Sequence, residues 1–148
     1  MEERTTQQAF ACRLPAAPEA VPIVRAVIDG LDWLAPTPDR SFALRLLATE
    51  IVSNAVKHGE HGDPDQWIGL VVRIEDGTVR IQVSDSGAGF RPQVVRPGDD
   101  DPSGRGLLLL DALSDRWGVR RHEHRTEVWF ELRSAAADEG YEEARSTG

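Results

Sequence analysis

The stretch "WIGLVVRIEDGTVRIQVSD", residues 67 to 85, determines the predicted fold. Apolar and polar residues alternate on both sides of Asp76-Gly77, and this dipeptide is a strong signal for a two-residue hairpin turn. With that turn, three apolar pairs face each other on one side: Ile74 with Val79, Val72 with Ile81, and Leu70 with Val83. Turn and alternation agree on one register, so we expect one face of this hairpin to be buried.

The segments around the hairpin predict two helices before it, and a helix and two strands after it. Residues 9–14 are a short edge strand. The next helix has Val21, Val24, Ile28, Leu31 and Leu34 at helical spacing, and Asp39 or Ser41 caps a second helix that runs to about His58. A long loop over residues 84–104 precedes a helix over about 105–113 and strands over 116–121 and 127–132. The predicted organisation is a flexible N-terminus (1–8), one domain (9–133) and a disordered acidic tail (134–148).

Composition restricts the function classes. The 148 residues have a formal net charge of −8, so we expect no direct binding to nucleic acid. No run of about 18 apolar residues is present, so no membrane span is expected. The first residues lack a basic region followed by an apolar one, so we expect no secretory signal. The single cysteine, Cys12, fits a reducing compartment such as the cytoplasm.

A carboxylate ends the second strand of the hairpin. Continuing the alternation, Asp85 points to the same side as the apolar residues, opposite Ile68, and a buried carboxylate without a partner is costly. Either Asp85 bonds to the amides of its own turn, or it receives a ligand donor such as the exocyclic amine of a purine. In the second case Gly87 and Gly89 let the backbone come close to a flat base.

Two further segments, the second predicted helix and the glycine-rich segment before the third, have groups that could bind a metal ion or an anion. On the second predicted helix, Glu50, Asn54 and Lys57 lie along one edge of the apolar stripe. They form either a solvated stripe with a Glu–Lys pair, or a site in which an amide oxygen binds Mg²⁺ and a carboxylate deprotonates a hydroxyl. In "SGRGLLLLDAL", residues 103–113, two glycines open a helix, which is either a hinge or an anion site.

Together these segments resemble the three ATP-binding motifs of the GHKL ATPases, the superfamily of gyrase and the histidine kinases. In chain order the motifs comprise Glu50 and Asn54; Asp85, Gly87, Gly89 and Phe90; and Gly104, Gly106 and Leu107. Within the superfamily, the small size and "SGRGLLLLDALSDRWGV" look most like the anti-sigma factor serine/threonine kinases of bacterial partner-switching systems.

The resemblance implies a fold and roles for individual residues. The fold is a two-layer α/β (α+β) sandwich of the Bergerat type, with helices on one face of a mixed, mainly antiparallel sheet and a lid over residues 90–103. Asp85 would recognise adenine, Asn54 would bind Mg²⁺ and Glu50 would be the catalytic base, while Gly104, Arg105 and Gly106, with Leu107 in the same motif, would hold the phosphates of ATP. The family often has a threonine at the start of its last strand; alignment puts Glu127 there, with Thr126 one residue away.

The resemblance also implies a function. The chain would be a cytoplasmic anti-sigma regulator that binds ATP and Mg²⁺ and phosphorylates a serine or threonine of an anti-anti-sigma antagonist. A sigma factor would be its other partner, and homodimerisation is a family expectation. The alternatives are a nucleotide-binding regulatory module without kinase activity and an isolated histidine-kinase catalytic domain.

Overall fold

The computed structural model describes residues 8–31, 33, 37–58, 67–85, 102–122 and 125–134, and only the backbone of residues 58 and 102–107. The elements in chain order are β1 (Gln8–Pro15), α1 (Ala20–Asp29), α2 (Pro38–His58), β2 (Trp67–Glu75), β3 (Thr78–Asp85), α3 (Pro102–Leu113), β4 (Arg116–His122) and β5 (Arg125–Arg133). None of the described helices is long and apolar enough to cross a membrane.

The hairpin of β2 and β3 forms with the predicted register. All three predicted apolar pairs are observed, and Ile68 lies opposite Asp85. Asp76 and Gly77 both have positive φ, at 53° and 76°, as a two-residue hairpin turn of this kind requires. The sheet order is β1-β2-β3-β5-β4, and all four pairings between the described strands are antiparallel. The hairpin therefore provides two of the three inner strands of the sheet.

The helices cover one face of this sheet. Helix α2 packs against α1, α3 and strand β3, and it is buried at Leu47, Ala48 and Val52. The largest fully buried side chains come from the three inner strands and from two helices: Phe130, Leu47, Ile68, Leu70, Ile81, Leu110 and Leu132. The opposite face of the sheet is not covered by any described helix, and we call it the open sheet face. The core therefore lies between one layer of helices and one face of the sheet.

Several predicted boundaries are corrected. The cap of α2 is Thr37, not Asp39 or Ser41, because its Oγ1 accepts a hydrogen bond from the amide of Arg40 at 3.2 Å and Pro38 occupies the first helical position. Helix α1 is shorter than predicted and ends at Asp29. Strand β5 begins at Arg125, two residues before the predicted start.

Candidate functional site

The site begins where β3 ends against β5. Asp85 is the last residue of β3, and its partner in β5 is Thr126. Both side chains lie on the core side of the sheet and are buried, with 3% and 7% of their surface exposed. The register resolves the ambiguity in the alignment: Glu127 pairs with Ser84 and lies on the open sheet face, so Thr126 is the residue beside Asp85.

Helix α2 places the second group of predicted residues. Asn54 is only 4% exposed, Glu50 is half-buried and Lys57 is exposed. The three residues therefore do not form the uniform edge stripe that the helical wheel predicted. Asn54 is buried because α2 lies on β3 across this part of the sheet, whereas Lys57 is near the helix end at His58. The arrangement separates Asn54 and Glu50 from Lys57, so Lys57 belongs to the surface.

Two side-chain oxygens in this region are buried without a hydrogen bond. They are Oδ1 of Asn54 and Oδ2 of Asp85, and within the described part of the chain neither accepts a donor. Both residues make other interactions, so each side chain is already oriented. An amide oxygen and a carboxylate oxygen of this kind suit a Mg²⁺ ion and an amine donor, respectively. The residues present therefore fit the nucleotide and metal that the motifs predict.

The glycine-rich segment is helical from an earlier residue than predicted. Helix α3 begins at Pro102, whereas the sequence predicted a start near Arg105. Proline is favoured at the first helical position, since it has no amide hydrogen to leave unsatisfied, so Pro102 is the local signal for this start. Gly104 lies in the first turn, where amides have no acceptor within the helix. Gly106 lies further in, so it leaves space at the helix surface and its own amide bonds within the helix.

Several predicted positions lie outside the described residues. They are Gly87 and Gly89, the lid up to residue 101, residues 1–7 of the N-terminus and residues 135–148 of the tail. The side chains of Arg105 and Leu107 are likewise not described, although both residues are part of α3. The described site therefore consists of the end of β3, the start of β5, the C-terminal half of α2 and the backbone of α3.

An ion-pair cluster close to α3 was not found from the sequence. Asp115, in the turn between α3 and β4, accepts hydrogen bonds at Oδ2 from Arg40 Nη1 at 3.0 Å and from the backbone amide of Arg133 at 2.8 Å. It connects the first turn of α2, the end of β5 and the end of α3. Its partners are 75 and 18 residues away in the sequence, so no local pattern could identify it.

Comparisons with known proteins agree with this geometry. A family model described as the histidine kinase-like ATPase domain matches residues 14–132. The anti-sigma F factor of Geobacillus stearothermophilus is 30% identical over 99 residues, which cover 62% of this chain and 66% of that protein. The serine-protein kinase RsbW of Listeria innocua is 29% identical over 123 residues, covering 75% and 78%. This chain thus spans just under two thirds of the anti-sigma F factor that it matches.

A solved structure is also similar. It contains the RsbU and RsbW domains of a Mycobacterium tuberculosis protein, and it superposes with a TM-score of 0.65 at 22% identity, over 86% of this chain and 32% of that one. At this identity the likeness shows the fold alone. The predicted two-layer α+β fold is confirmed.

Proposed function

The chain belongs to the histidine kinase-like ATPase family, as its three motifs predicted, and on that premise we propose that it is an ATP-dependent serine/threonine kinase of the anti-sigma type. Its substrate would be a serine or threonine of an anti-anti-sigma protein, and its other partner a sigma factor. Relatives named anti-sigma F factor and serine-protein kinase RsbW support this choice within the family. We further propose that it acts in the cytoplasm and forms a homodimer.

The pairing of Asp85 with Thr126 supports nucleotide binding most directly. A buried carboxylate at the end of an inner strand, with a hydroxyl beside it, offers one strong acceptor and one group that can donate or accept. An adenine ring needs an acceptor for its exocyclic amine and a donor for a ring nitrogen. We therefore assign adenine recognition to Asp85 and Thr126, with Gly87 and Gly89 making room for the base.

The remaining roles follow from position and chemistry. ATP supplies the phosphoryl group, and Mg²⁺ would be held by Asn54, whose amide oxygen is a hard ligand. The start of α3, with Gly104, Arg105, Gly106 and Leu107, would lie against the phosphates, because a helix N-terminus favours anions. Glu50, one turn before Asn54 and half-buried, would accept the proton of the attacking hydroxyl.

Calorimetry with ATP, with and without Mg²⁺, tests the binding part. We expect a dissociation constant in the micromolar range or below, about −8 kcal/mol, that requires Mg²⁺. Asp85→Asn removes a charged acceptor worth about 1.5–3 kcal/mol, which corresponds to an affinity loss of roughly 10- to 150-fold. Thr126→Val removes one neutral hydrogen bond and should cost about 2- to 12-fold. Asp29→Asn is the matched control, since this carboxylate is exposed on α1 and should leave binding unchanged.

The kinase part needs a separate variant. Glu50→Ala should lower phosphoryl transfer to the purified antagonist by about 10²- to 10⁴-fold, the usual contribution of a general base, while the affinity for ATP stays within threefold. Equal nucleotide affinity of wild type and Asp85→Asn, with both folded, would refute the assignment of Asp85. Regulation that persists unchanged in Glu50→Ala would instead identify a nucleotide-binding module without kinase activity.

A further inference from the structure

The open sheet face is basic, although the protein is acidic. By the register of the five strands, its ionisable side chains include seven arginines and three glutamates, whereas the whole chain has a net charge of −8. The arginines are Arg13, Arg73, Arg80, Arg116, Arg120, Arg125 and Arg133, and the glutamates are Glu75, Glu127 and Glu131. The negative charge of the molecule is therefore concentrated elsewhere. The open sheet face is positively charged and the rest of the chain is negatively charged, so the electrostatic potential differs in sign between them.

Some of these arginines are paired within the face. Glu131 lies 3.1 Å from Arg80 and 3.5 Å from Arg116, and Glu127 lies 2.6 Å from Arg125. Aromatic rings take up further charge: the Arg13 guanidinium lies 4.4 Å from the centroid of Trp67, and Arg80 and Arg116 lie at 4.1 and 5.8 Å from Trp129. The two glutamates and two tryptophans thus contact four of the seven arginines, namely Arg13, Arg80, Arg116 and Arg125.

Arg133 lies 3.8 Å from Asp115, which leaves Arg73 and Arg120 of the seven arginines. Neither forms an ion pair with any described residue, and Arg73 lies directly opposite Arg80, where two like charges are destabilising. Arg73, Arg80 and Arg120 line one cavity of about 520 Å³ on the open sheet face, which extends from Asp76 in the hairpin turn to Gln82 on β3. Glu75, Asp76 and Glu131 line the same cavity, and Glu131 is already paired with Arg80 and Arg116. Arg73 and Arg120 are therefore the two arginines of the cavity that have no ion pair with a described residue.

The last described residue, Ser134, lies beside the hairpin turn at the rim of this cavity. Its amide donates to the carbonyl of Gly77 at 2.8 Å, and the neighbouring residues Asp76 and Thr78 line the cavity. The segment that follows, residues 135–148, contains Asp138, Glu139, Glu142 and Glu143 against one arginine, Arg145. Asp138 is four residues beyond Ser134, a reach of about 14 Å when extended, and Glu142 and Glu143 reach about twice as far.

We propose that the acidic C-terminal segment, residues 135–148, docks on the basic open sheet face and that its carboxylates pair with Arg73 and Arg120. Three observations support this docking. The segment and the face have opposite charges, the segment is attached at the rim of the cavity, and its carboxylates extend about 14 Å or more from Ser134. Because the segment is tethered to the domain by a short length of chain, its effective concentration at the face is in the millimolar range. Contacts that would be weak between separate molecules are therefore sufficient to hold it there. The docked segment covers the face in the free protein, so an acidic partner would have to displace it.

Nuclear magnetic resonance of the arginine side chains tests the proposal. The Nε–H signals of Arg73 and Arg120 are compared between the full chain and a chain that ends at Ser134, which keeps β5 and the bond to Gly77. We expect both signals to shift on truncation, and to shift in the same direction when 0.5 M NaCl is added to the full chain, because salt screens exposed charges. The signal of Arg25, which lies on α1 in the other layer, should not move.

Charge variants of the full chain distinguish the loss of the acidic side chains from the loss of the segment itself. Replacing Asp138, Glu139, Glu142 and Glu143 by Asn and Gln in the full chain should reproduce the truncated spectrum. Asp99→Asn, Asp100→Asn and Asp101→Asn together are the control, since they remove another acidic run of the same chain. A peptide of residues 135–148 added to the truncated chain should restore the shifts with a dissociation constant near the millimolar range.

Two results would overturn the proposal. Identical Arg73 and Arg120 signals in the full and truncated chains at low salt would mean that the segment does not occupy the face. Shifts that grow between 50 µM and 1 mM protein, and that persist in the truncated chain, would assign the face to a second copy instead.

Discussion

Replacing Asp115 by alanine should destabilise the protein more than its position in a surface turn suggests. The carboxylate is 21% exposed, and its Oδ2 accepts two hydrogen bonds, one from Arg40 and one from the backbone amide of Arg133. Alanine leaves that amide without its acceptor, which costs about 1–3 kcal/mol. The partly exposed pair with Arg40 adds about 0.5–1 kcal/mol after allowance for solvent screening. We therefore expect the free energy of unfolding to fall by about 1.5–4 kcal/mol.

Urea unfolding followed by circular dichroism measures this difference. The midpoint should fall while the slope m stays constant, since the folded structure is kept. Tm should fall by about 3–16 °C for a chain of this size. Asp115→Asn should cost less than alanine, because its amide oxygen still accepts from Arg133. Asp111→Ala is the matched control: its carboxylate accepts one exposed bond from Trp117 at 3.2 Å, and we expect less than about 1 kcal/mol. A loss in Asp115→Ala no larger than that in Asp111→Ala would refute the reasoning.

Three further predictions concern the sheet, a helix cap and the cysteine. Gly118→Ala places a Cβ 2.7 Å from Trp129 Nε1 and should lower the free energy of unfolding by about 1–3 kcal/mol. Gly69→Ala, whose Cβ would lie 3.0 Å from Trp67 Cζ3, should lower it clearly less. Equal urea midpoints of the two variants would contradict this. Thr37→Ala removes the cap of α2 and should cost about 1 kcal/mol, and Thr37→Ser, which keeps the hydroxyl, should restore most of it. Burial raises the pKa of the Cys12 thiol, which disfavours the reactive thiolate. Alkylation of the folded protein at pH 8 should therefore be slower than alkylation of the urea-unfolded chain, and it should accelerate as pH rises. Equal rates for the folded and unfolded chains would show that the thiolate is not disfavoured.

Part of the site could be predicted from local sequence. Strict alternation in β3 predicted that Asp85 faces the core, and the observed register agrees. Asn54 was predicted on the edge of an apolar stripe but is fully enclosed, because a helical wheel does not include the strand on which the helix lies. The choice between Thr126 and Glu127 was open for the same reason: neighbouring residues of a strand point to opposite faces, and the pairing with β3 decides which one is beside Asp85.

Local sequence patterns are enough to predict the hairpin, the order of the elements and the three motifs. These depend on alternation, helical spacing and turn chemistry, which act over a few residues. Long-range packing creates the cluster around Asp115, the burial of Asn54 and the stacking of Arg80 and Arg116 on Trp129. Each of these joins segments that are distant in the chain, and their meeting depends on which strands become neighbours. Strand order is set by the packing of the whole core, so no local pattern encodes it.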